Sequence, residues 1–97
     1  MSQVMLKSPR GEAIGPLVIS ALDAKKNEIL TGIMKTKQKL SIFEKTFSLS
    51  TSDFIIRGHQ EISQISEMDA IEWFGEHETL KKLQEKLSRL QEIEVCT

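Results

Sequence analysis

Tyrosine is absent from this 97-residue chain, and cysteine, tryptophan and proline are scarce, with one, one and two residues. The single thiol, Cys96, cannot form an internal disulfide, so a reducing cytoplasm is the expected setting. No run approaches the ~18 apolar residues needed to span a bilayer. The opening MSQVMLKSPRGEA has neither an apolar stretch nor a small-residue cleavage site, so no signal peptide is expected there. The phosphate-cradling G-x-x-x-x-G-K-[ST], the dinucleotide G-x-G-x-x-G and the nucleophile elbow G-x-S-x-G are all missing. His59 and His77 are too few and too isolated for a histidine-based site. Asp69, Glu72, Glu76 and Glu78 fall on a helix surface with lysines nearby, and nothing in the pattern desolvates them. The expectation is a protein that is not an enzyme, with no catalytic residue, no metal and no cofactor.

What remains is charge and helical pattern. Charged residues make up 28% of the chain and hydrophobic ones 39%, a little low for a self-sufficient globule. A chain of this length is one domain at most and buries only about 60–65% of its unfolded surface. The net charge of −1 hides a division. Residues 1–47 hold eight basic and four acidic residues, net +4; residues 48–97 hold five and ten, net −5. Opposite halves of this kind suit a hairpin or an antiparallel dimer.

Pro9, Gly11, Gly15 and Pro16 punctuate the beginning. Residues 1–15 therefore read as a flexible segment, with a short strand at Val4–Leu6, and 16–97 as one helical domain. From Pro16 onward, apolar residues recur at Leu17, Val18, Ala21, Leu22, Ile29, Ile33, Leu40, Phe43 and Phe47. Spacings of three, four and seven mark one helix face, predicting a helix over about 16–46. Gly32 interrupts it at a cost of about 1 kcal/mol and reads first as a tolerated weak point, with close approach of another backbone as the alternative. Ser50 with Asp53, and Ser66 with Asp69, carry the spacing of helix N-caps. They predict a short helix bringing Phe54 and Ile55 inward and ending near Gly58, a polar connector over 59–66, and a last helix over about 68–94. The fold class is all-α: a long N-terminal helix, a short middle helix and a C-terminal leucine-seam helix, in a hairpin or bundle that oligomerises.

The last helix contains GEHETLK, which comes one residue short of H-E-x-x-H, a zinc-protease signature. Lys81 stands where the second histidine ligand is required, and its charge repels Zn²⁺. The same residues read better as a zipper. Leu80, Leu83, Leu87, Leu90 and Glu94 step by three, four, three and four, with Trp73 one heptad before Leu80. Glu78 with Lys81 and Lys82, and Glu85 with Arg89, form the ion pairs of a solvated face. Trp73, Phe74, Leu80, Leu83, Leu87 and Leu90 are the expected residues of one partner-binding or oligomer seam; Ile33, Leu40, Phe43, Phe47 and Phe54 are those of the other. Lys25, Lys26, Lys35, Lys37 and Lys39 are the candidate nucleic-acid contacts. They spread around the helix rather than forming a stripe, and no aromatic residue sits among them for stacking.

The run from Leu30 through Lys37 and Leu40, then Phe43-Glu44, Phe47, Leu49-Ser50-Thr51 and Phe54, resembles a pattern in a group of small helical proteins of archaea and bacteria: K-x-x-L-x-x-F-E-x-x-(Y/F)-x-(M/L)-S-S/T-x-x-F. Asp69-Ala-Ile-Glu-Trp73 is similar to the same group's D-x-x-E-W block, and the leucine helix and Ile93–Cys96 to its hydrophobic end. The likeness covers about residues 29–96, and Phe47 stands where tyrosine is commoner. Such proteins look like the smaller partners of two-gene toxin–antitoxin cassettes. The resemblance implies an antitoxin-like module that binds and neutralises a cognate toxin protein, and its motifs are packing motifs. A helical DNA-binding regulator and a structural assembly protein are the alternatives.

Overall fold

A proline in a first helical turn loses no hydrogen bond, because the N–H it lacks would have no partner there. Pro16 is placed so, and helix α1 covers Gly15–Phe47. The carbonyl of Ile14 accepts the first helical bond, from the Val18 N–H at 3.1 Å. Ser48 ends the helix in the left-handed conformation (φ 50°, ψ 46°), and the N–H groups of Ser48 and Leu49 both donate to the Glu44 carbonyl. The computed structural model describes residues 2–5, 14–58 and 64–96, with the backbone alone for 2–5 and 94–96.

Both expected caps are present. Helix α2 spans Thr51–Arg57, and the Ser50 hydroxyl accepts the Asp53 N–H at 3.1 Å. Helix α3 spans Glu67–Gln91, and the Ser66 hydroxyl accepts the Asp69 N–H at 3.1 Å. In each case an apolar residue precedes the cap and another follows four places after it: Leu49 with Phe54, and Ile65 with Ala70. All four belong to one hydrophobic cluster. This is the hydrophobic staple that fixes the angle at which a chain enters a helix. Gly58 closes α2 at φ 76°, ψ 162°, a backbone conformation reserved for glycine, and its N–H donates to the Phe54 carbonyl at 2.8 Å.

The end of the chain differs from expectation. Helix α3 stops at Gln91 rather than near 94, and Ile93–Cys96 is a strand. It pairs in parallel with a strand at Ser2–Met5, so that Ser2 faces Ile93 and Met5 faces Cys96. These strands are β2 and β1. The alternating β-branched Ile93 and Val95 favour an extended chain, and β1 supplies the backbone partners that a fraying helix end lacks. The short N-terminal strand therefore lies slightly earlier than Val4–Leu6. Residues 6–13 of the segment expected to be flexible, and 59–63 of the expected polar connector, lie outside the described residues.

The three helices form the all-α body, and α1 and α3 run antiparallel along a molecule measuring 64 × 20 × 17 Å. Gly32 lies opposite Leu83, Lys39 opposite Glu76, and Phe43 opposite Trp73. At the closed end of this hairpin, Leu40, Phe54, Ile65, Ala70 and Trp73 make the core, with Phe43, Phe47, Leu49, Ile55 and Leu80 packed on it. Gly32 is more than a weak point: a Cβ there would meet Leu83 Cδ1 at 3.3 Å, so its bareness lets the leucine seam lie close against α1.

Candidate interaction surface

Trp73 is wholly buried, at 0% exposure. Its indole is stacked with Phe54 (centroids 4.1 Å apart), Phe43 (5.4 Å) and Phe47 (5.8 Å). Burying such a side chain contributes about 2–3 kcal/mol. The indole N–H would be costly to strand in this apolar setting, and it donates to the Thr51 hydroxyl at 3.0 Å. The Thr51 backbone N–H in turn donates to the Glu44 carboxylate at 2.8 Å. Glu44 thus sits at the N-terminus of α2, where a negative charge is favoured. One polar chain, Glu44–Thr51–Trp73, ties the end of α1 to the start of α2 and to α3.

The two expected seams are consequently occupied with each other. Ile33, Leu40, Phe54 and Trp73 are buried within the single chain; Phe43, Phe47, Leu80, Leu83, Leu87 and Leu90 are half-buried. Leu83 lies over Gly32, while Leu90 and Ile29 line a shallow cleft of about 240 Å³ with Lys25, Lys86 and Arg89. Phe74 departs from the group: it is 50% exposed, on a different face from Trp73. Adjacent residues on a helix point about 100° apart, so only one of the two can enter the core.

Phe74 belongs instead to an apolar surface that the seam pattern missed. Ile56, Met68 and Ile71 are strongly exposed. Between α2 and the start of α3 lies a groove of about 570 Å³, lined by Phe54, Ile55, Ala70, Ile71 and Phe74, with Arg57, Gly58 and Glu67 around it. The signal was present in the spacing, since Met68, Ile71 and Phe74 recur every three residues on the side away from Leu80. A second exposed stripe runs along α1, where Leu30, Ile33, Met34, Lys37, Gln38 and Ser41 line a depression of about 440 Å³. Ile65 was also missed in a stretch read as polar, although its place just before a cap is where a staple residue sits.

The candidate nucleic-acid lysines do not converge. Lys25 pairs with Glu28 at 3.4 Å and Lys39 with Glu76 at 3.5 Å; Lys35 and Lys37 are exposed and Lys26 is half-exposed. The ion pairs expected on α3 are found as Glu78–Lys81 (4.0 Å) and Glu85–Arg89 (3.9 Å). Among the described residues no three His, Cys, Asp or Glu side chains are grouped as metal ligands, and no helix is long and apolar enough to cross a membrane. No known family, no curated protein and no solved structure matches this chain.

Proposed function

We propose that this chain is a non-enzymatic helical interaction module of the cytoplasm, an antitoxin-like partner that binds and neutralises a cognate toxin protein and that self-associates. The observation carrying the reading is the distribution of apolar residues. Among the described residues seven hydrophobic ones form the buried core, while nine large ones stand exposed. Ile71 and Phe74 share one groove and Leu30 and Met34 one depression, and apolar surface gathered in this way marks a place where another protein binds. The caps, staples and Glu44–Thr51–Trp73 chain supply the rigid frame that a partner-binding face needs.

The test is co-expression with the product of the adjacent gene. That product alone should arrest growth, and this chain should relieve the arrest and co-purify with it. Phe74→Glu should abolish both effects while leaving the helical content unchanged. An adjacent product without toxicity, or relief that Phe74→Glu does not touch, overturns the reading. The DNA-binding alternative is weaker because Lys25 and Lys39 are engaged in ion pairs. It requires an affinity for duplex DNA that falls steeply with salt, which apolar pairing does not.

A further inference from the structure

The groove between α2 and α3 has an apolar floor of Phe54, Ala70, Ile71 and Phe74, with Arg57 and Glu67 as its charged lining residues. The α3 wall carries one acid, Glu67, and residues 67–80 hold neither lysine nor arginine. Glu76 and Glu78 are engaged by Lys39 and Lys81, whereas Glu67 has no ion pair among the described residues. The exposed stripe on α1 has the opposite character. Residues 29–43 hold no acid, and of their lysines Lys37 lies on the stripe with Leu30 and Met34, which are 48% and 58% exposed.

Resting on the reading of this chain as a self-associating module, we propose that the occupant of the groove is α1 of a second copy. Leu30 and Met34 of each chain enter the groove of the other, and Lys37 meets Glu67 at its rim. The dimensions agree: α2 is seven residues long, about 10 Å, and Leu30 and Met34 lie one turn apart, about 6 Å. The two surfaces are displaced along the long axis. The register of Gly32 opposite Leu83 and Lys39 opposite Glu76 sets the stripe beside the middle of α3, while the groove lies at its start. Two antiparallel copies related by a two-fold axis therefore make the contact twice, each stripe in the other's groove. The binding mode is a helix laid into an apolar groove with charges fixing its register.

Sedimentation velocity of the purified full chain across micromolar concentrations tests this. A dimer is expected, weaker at high salt, and Met34→Glu or Phe74→Glu should each give a folded monomer by circular dichroism. Lys37→Glu should weaken the dimer about tenfold, as should Glu67→Lys, and combining the two should restore most of the loss. A monomeric wild type overturns the proposal, as does a dimer indifferent to Met34→Glu and Phe74→Glu, or a charge reversal that is not rescued. A monomer whose groove binds an unrelated basic amphipathic peptide overturns the second copy as occupant. Relief of toxicity is read separately: a monomer that still relieves it sinks only the pairing, and a dimer that relieves nothing sinks only the antitoxin-like reading.

Discussion

Replacing Thr51 with valine exchanges one oxygen for one methyl where all three helices meet. The two side chains have nearly the same shape, so packing around Trp73 is kept and the lost quantity is the hydrogen bond from its indole N–H. Trp73 is 0% exposed, so water cannot replace the hydroxyl, and a buried donor left without a partner costs about 1–3 kcal/mol. At about 4–8 °C per kcal/mol for a domain of this size, a central cost of about 2 kcal/mol lowers the melting temperature by about 8–16 °C. Thr51→Ser keeps the hydroxyl and removes one methyl, costing about 0.8 kcal/mol. Thermal and urea melts by circular dichroism should therefore rank the chains wild type, serine, valine, at one fixed protein concentration because self-association shifts the transition. The decisive comparison is made in a Trp73→Phe background, where no N–H exists to be stranded and Thr51→Val should become nearly neutral. Equal costs in the two backgrounds, or a valine variant no weaker than the serine one, would refute the role given to this bond.

Gly58→Ala forces a side chain into a backbone conformation suited to glycine alone, with φ 76° and ψ 162°, and should cost about 1–3 kcal/mol in a urea melt. Ser48→Gly acts in the other direction, relieving a left-handed residue at the end of α1, and should raise stability by about 0.5–1 kcal/mol in the same assay. Trp73→Ala empties the aromatic stack and should cost about 3–5 kcal/mol, enough to leave much of the chain unfolded at physiological temperature as seen in the far-ultraviolet signal. Gly32→Leu should drive α1 and α3 apart against Leu83 and lower the melting temperature, whereas Gly32→Ala asks Leu83 to give only a few tenths of an ångström.

The helices were legible because their signals are local. Ser50 with Asp53 and Ser66 with Asp69 state their caps within four residues, and Pro16 states a start. The leucine seam was equally plain, yet periodicity says only that a face is apolar, not what covers it. Here α1 covers it, through contacts such as Gly32 with Leu83 that lie 51 residues apart in sequence. Phe74 joins Trp73 in the expected seam only as its neighbour; the spacing of Met68, Ile71 and Phe74 sets it on another face, and which face turns inward depends on where α2 lies. The heptad carries the expected helix on to about 94, because Glu94 fits it, whereas Ile93–Cys96 is a strand. Their strand conformation is set by a partner at residues 2–5, which no window along the chain can reveal.

The parallel pairing of β1 with β2 has a mechanical meaning. Ser2 faces Ile93 and Met5 faces Cys96, so the first residue of β1 and the last of β2 lie at opposite ends of the ladder. Tension applied between Ser2 and Cys96 runs along the strands and loads all the rungs together, in shear. An antiparallel pair pulled at its adjacent ends would open one rung at a time, like a zip. The helical hairpin thus stands behind a clasp that shields it from stretching until the whole ladder yields at once.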